Sequence, residues 1–252
     1  EAAVAGLADR IDSLVGISSA SKLPSGSADP FGLRRACITS IIIILEKEFK
    51  LDLKSILEKS LGILADKLPE INKDEQLEAI LDFCLTRMNG LLKDNPRSDI
   101  PGGFSYDSID AVAQATTPWF DICDFARRVD ALEEFRQRDD FADVAATFKR
   151  TNNILKELVS GSIDPEKFTD SCEQDLYTAV SQARTEITGY LNDSDYVKAL
   201  SLIGPLKEKV SLFFDNVMVN HDDDTIRLNR QLLVQELVNS VKQIADFSAI
   251  QG

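Results

Sequence analysis

The stretch FADVAATFKRTNNILKEL, Phe141 to Leu158, carries the pattern that decides the fold class. Phe141, Val144, Ala145 and Phe148 stand at i, i+3, i+4 and i+7, the spacing of one apolar face on a 3.6-residue helix. Val210, Phe213, Phe214 and Val217 repeat it. No long apolar/polar alternation flanked by Asn-Gly or Gly-Gly turns occurs, so strands are given no large share. The chain reads as all-α.

Helix starts are marked by Asp29-Pro30 and Asp164-Pro165, where an acceptor side chain precedes a residue whose missing N–H costs nothing at a first helical position. The main break is LKDNPRSDIPGGFSYDS, Leu92 to Ser108, with two prolines and a Gly-Gly pair. It divides the chain into a helical region, 1–98, of about four helices and a helical bundle, 105–252, of about six. Lesser breaks fall at VSGSIDP and YLNDSDY, and SASKLPSGSADP (Ser19 to Pro30) reads as a loop.

With 252 residues, 44% of them hydrophobic, the chain can bury a real core. No apolar run approaches membrane-spanning length. The start, EAAVAGLADRIDSL, has neither a basic region nor an apolar segment of the signal-peptide kind and reads like the interior of a longer protein. Cys37, Cys84, Cys123 and Cys172 are scattered with no C-x-x-C pair, which favours reduced, mostly buried thiols in a cytoplasmic protein over disulfides or zinc. A single histidine, His221, leaves no basis for a His-base or multi-His metal centre, and no catalytic or metal-binding residue is assigned. The net charge of −14 argues against general nucleic-acid coating, so any RNA contact must come from a local patch.

Three segments could form such a patch. In FKRTNNILK, the core stripe Phe141, Ala145, Phe148, Leu155 has Asn152 in line with it, while Lys149, Asn153 and Lys156 share a neighbouring face with Arg150 beside them. That face suits phosphates or base edges, or is simply a solvated basic face. Arg127-Arg128 point in different directions on a helix, one suited to a surface ligand and the other to a salt bridge. In HDDDTIRLNR, one of Asp222, Asp223 and Asp224 is expected to cap the helix carrying Leu233, Leu237 and Ile244 inward. Arg227 and Arg230 then face either those acids or a ligand, and a His-Asp metal site is disfavoured because consecutive aspartates diverge. PSGSADPFGLRR, with Ser25, Gly26, Ser27 and Asp29, is read as a fixed loop and cap rather than an anion site.

Taken together, LADRIDSLVG, LPSGSADPFGLRRA, LDL, DALEEF, FKRTNNILK, DYVKALSLIGPLKEKVSLFFDNVMV and DDDTIRLNRQLL resemble, in order and over essentially the whole chain, the C-terminal part of the β subunit of bacterial heterotetrameric glycyl-tRNA synthetase. The resemblance implies the end of an HD-like region followed by a helical anticodon-binding domain similar to that of arginyl-tRNA synthetase. It implies tRNA(Gly) and the synthetase α subunit as partners, without membrane or DNA. ATP and magnesium would belong to the α-subunit site, with no cofactor in this chain. Carried over residue by residue, the RNA-contact candidates are Arg127, Arg128, Lys149, Arg150, Asn153, Lys156, Arg227 and Arg230. The chain alone is expected not to aminoacylate. Against this stands an alternative in which these helices only brace the α–β assembly.

Overall fold

A computed structural model describes residues 1–21, 23–24, 28–65, 67, 71–94, 103–155 and 157–250. The Ser25-Gly26-Ser27 loop, Lys156 and residues 95–102 of the Leu92–Ser108 break lie outside them. Among the described residues there are helices and no strand, so the fold is all-α.

The chain forms two compact units, residues 1–106 with 119–126, and residues 107–118 with 127–252. The first contains α1 (Ala2–Ala20), α2 (Leu33–Glu46), α3 (Leu53–Ala65) and α4 (Lys73–Asp94). Their buried positions recur at helical spacing: Leu7, Ile11, Leu14; Leu33, Cys37, Ile41, Ile44; Leu53, Leu57, Leu61; Ile80, Cys84, Met88, Leu92. Cys37 and Cys84 are free thiols in this core with their sulfurs 3.5 Å apart. Asp29 accepts the Leu33 and Arg34 amides at 2.8 and 3.1 Å, although Gly32, in the left-handed region, is the residue that flanks α2. After α4 the chain returns through Gly103, whose φ of +76° and approach to the Lys93 carbonyl admit no Cβ.

Residues 119–126, placed by sequence in the second region, complete this core. The Phe120 carbonyl accepts the Leu53 amide at 3.0 Å, and the Cys123 Sγ lies 3.4 Å from the Ile44 carbonyl. The boundary therefore passes through α6 (Ile122–Arg136), with Arg127 the first of its residues in the second unit. Proline and glycine signals mark chain breaks but cannot show a continuous helix shared by two cores.

The second unit holds α5 (Tyr106–Ala113), most of α6, α7 (Phe141–Ile154), α8 (Ser171–Asn192), α9 (Tyr196–Ser201), α10 (Ile203–Asn216) and α11 (Asp224–Lys242). Val210, Phe213 and Val217 are buried as their spacing predicts, as are Leu233, Leu237 and Ile244, while Phe214 of the same predicted face is half-buried. Between α9 and α10 the chain breaks at Leu202. Pro205 has no N–H to return to the Ser201 carbonyl, so the helix restarts.

Helix α7 ends at Ile154, short of the Leu158 expected. Its buried positions are Val144, Ala145, Phe148 and Thr151, while Asn152 is half-buried and Leu155 is extended. The early end frees Val159 to pair both its peptide groups with the Gln235 amide, each at 2.9 Å.

Candidate nucleic-acid interface

The acidic turn before α11 resolves into local structure. Asp223 is the cap: its Oδ1 accepts the Thr225 and Ile226 amides at 2.8 and 3.2 Å and the Thr225 hydroxyl at 2.7 Å. Those bonds hold its carboxyl below the usual carboxylate range. The His221 Nδ1 accepts the Asp223 amide at 3.0 Å, so the histidine closes the same turn. Arg227 pairs with Asp224 and donates to the His221 carbonyl at 2.7 Å.

Arg230 turns the other way, into the core, and is 5% exposed. Its Nε donates to Glu173 Oε1 at 2.9 Å, one Nη to the Met218 carbonyl at 2.9 Å, and the other to the Thr169 hydroxyl at 2.7 Å. Glu173, fully buried, also accepts the Thr169 and Asp170 amides at 2.7 and 2.9 Å and completes the capping box that starts α8. Asn229, its neighbour, accepts the Asp164 amide at 2.8 Å and donates to the Asp164 carbonyl at 3.0 Å. Asn229 and Arg230 thus form a clamp that fastens the α7–α8 connection and the α8 start onto α11. Arg230, expected as an RNA contact, is a buried structural cation instead.

Arg128, also expected as an RNA contact, is likewise a buried structural cation. It is fully buried and donates to the carbonyls of Thr117 and Pro118 at 3.2 and 3.1 Å. Its neighbour Arg127 is half-buried, with Nε closed off from solvent and unpartnered among the described residues.

What stays on the surface is the outer face of α7. Asp143, Ala146, Arg150 and Asn153 are exposed at helical spacing. Arg150 lies over the Phe214 ring at 5.3 Å, a contact that orients the guanidinium without neutralising it. Lys149 is half-buried and donates to the Ile250 carbonyl at 3.2 Å, securing the segment after α11. Neither Lys149 nor Arg150 has a carboxylate partner among the described residues. By contrast, Arg138, Lys167, Arg184, Lys198, Lys207, Lys209, Arg227 and Lys242 of the same unit all sit in ion pairs. Of the eight sequence candidates, the structure brings Arg150, Asn153 and, at its edge, Lys149 onto one face. Arg227 faces its own turn, Arg128 and Arg230 are inside, and Lys156 lies outside the described residues.

Glu173 is the residue that reading the sequence missed, although Asp170-Ser-Cys-Glu173 has the spacing of a capping box. The described residues contain no cluster of three or more His, Cys, Asp or Glu placed to hold a metal ion, and no helix long and apolar enough to cross a membrane.

Residues 1–114 match the family described as "Glycyl-tRNA synthetase beta subunit". Across 97% of its length the chain is 37% identical to the glycine–tRNA ligase β subunit of Geobacter sp. (strain M21). Across 99% it is 36% identical to that of Myxococcus xanthus and 33% identical to that of Syntrophus aciditrophicus. It covers 34–35% of these relatives, about a third of their length.

Proposed function

Since the chain belongs to the glycyl-tRNA synthetase β-subunit family, we propose that it supplies tRNA-binding surface to a glycine–tRNA ligase, its second unit holding the anticodon arm of tRNA(Gly). ATP-dependent glycylation falls to the α subunit, and the chain's own part is positioning. The observation that carries this reading is Arg150, an exposed cation with no carboxylate partner among the described residues, on a helix face it shares with Asn153 in an acidic unit where most other cations are ion-paired. A guanidinium that needs no acid stripped from it engages phosphate at least cost, and an exposed amide one turn away can meet a base edge. Lys149 belongs to this surface chiefly by anchoring the Ile250 carbonyl beneath it.

Docking the α subunit alone would call for an apolar helix face. Among the described residues, the exposed large apolar side chains of the second unit are Leu158, Val197, Leu212, Met218 and Leu228, and no helix contributes two of them. Arg150→Glu is expected to weaken binding of tRNA(Gly) at low salt and to reduce the slope of log K against log salt by about one. Filter binding over a salt series measures both, and affinity unchanged at low salt overturns the assignment. Lys149→Gln makes a second variant, expected to lower thermal stability because it releases the Ile250 carbonyl.

A further inference from the structure

A polar groove of about 360 Å³ opens between α8, α11 and residues 161–163. Its floor is Leu232, and Gly161, at φ +151°, lies so close that an added Cβ would sit 3.2 Å from the Leu232 Cδ1. The 159–164 segment forming one wall is fixed at both ends, by Gln235 on Val159 and Asn229 on Asp164. The opposite wall is Tyr177, Ser181 and Arg184 of α8. A wall held in this way is preformed, and a preformed site loses little ordering entropy on binding.

Arg184 of α8 and Glu236 of α11, both lining the groove, are joined by one guanidinium nitrogen and one carboxylate oxygen. Their remaining N–H groups and second oxygen put a donor and an acceptor side by side. A bound anion would face Glu236 and a bound cation would face Arg184. A neutral planar group with adjacent acceptor and donor satisfies both. We propose that the groove takes an unpaired RNA base, its ring over Leu232 beside Tyr177 and its hydrogen-bonding edge on Arg184 and Glu236. The assignment rests on the RNA-binding reading of this chain but uses a different surface from the α7 face.

The test uses the 252-residue chain and tRNA(Gly) transcripts in which each unpaired anticodon-arm nucleotide is replaced in turn, with affinity read by fluorescence anisotropy. The parent is expected to discriminate about tenfold at one nucleotide. Glu236→Gln, which keeps the shape and removes the charge, is expected to bring that discrimination within about twofold and to leave the salt slope unchanged. Ser181→Trp, which fills the groove from an exposed position on α8, is expected to do the same. Both variants keep the parental Tm. Arg150→Glu weakens every transcript alike, so the two readings separate. If both groove variants retain the parental discrimination, or the parent discriminates at no position, the groove assignment is overturned while an Arg150→Glu effect still supports the α7 face. If Glu236→Gln and Ser181→Trp lose discrimination while Arg150→Glu binds as the parent does, the groove stands and the α7 assignment falls.

Discussion

Arg230→Met lowers the stability of the second unit by about 3–5 kcal/mol, because it leaves the Glu173 carboxylate buried without its counter-charge. The loss is large for three reasons that add at one place. Glu173 keeps only the Thr169 and Asp170 amides and the Thr169 hydroxyl, that hydroxyl loses the donor it accepts from, and the Met218 carbonyl is left without the guanidinium. For a unit of this size the shift in Tm is roughly 10 °C, measured by thermal or urea unfolding of purified chains. The double variant Arg230→Met, Glu173→Met recovers much of the loss, since an apolar pair leaves no buried charge. A single variant as stable as the parent contradicts the clamp.

The same pair sets an acid limit. Burial pushes the Glu173 carboxyl up, but Arg230 and the Thr169 and Asp170 amides outweigh it and hold the group below the usual range. A carboxyl depressed in the folded state contributes stability that is present in full above its unfolded value and lost as pH falls through the folded one. Parental stability therefore declines on acidification below the ordinary carboxylate range, and the double Met variant shows a shallower decline.

Arg128→Ala is the second large effect, expected at about 3 kcal/mol or more. The carbonyls of Thr117 and Pro118 receive the two arms of one guanidinium, and truncation leaves them facing a cavity where the fully buried side chain stood. Arg128→Lys rescues little, because a point-like ammonium cannot reach two carbonyls in the geometry of a planar fork. Urea unfolding of the two variants measures this. Equal stability of Lys and Arg at this position would show that charge alone matters there.

Helix class and some helix limits were legible because they rest on local rules, although Asp29-Pro30 stands three residues before α2 and Asp164-Pro165 opens only a single 3₁₀ turn. The 3.6-residue stripe of Val144, Ala145 and Phe148, the Asp223 cap and the turn after Asn192 each follow from residues within one or two turns. The polar residues were harder. Arg230 and Glu173 are 57 positions apart, and nothing in either neighbourhood says that the arginine points inward. Arg127 and Arg128 are adjacent, and spacing showed that they diverge without showing which one is buried. The α7 face was legible in part: Arg150 and Asn153 are where the helical period puts them, whereas Lys149 is drawn to the Ile250 carbonyl across 101 positions.

The central claim, that the second unit holds the anticodon arm, is tested most directly by titrating the chain with tRNA(Gly) and with the same transcript carrying a foreign anticodon loop, at fixed salt. The swapped transcript is expected to bind more weakly, and both are expected to lose further affinity when Arg150 is replaced by Glu. Equal affinity for the two transcripts, unchanged by Arg150→Glu, would contradict it.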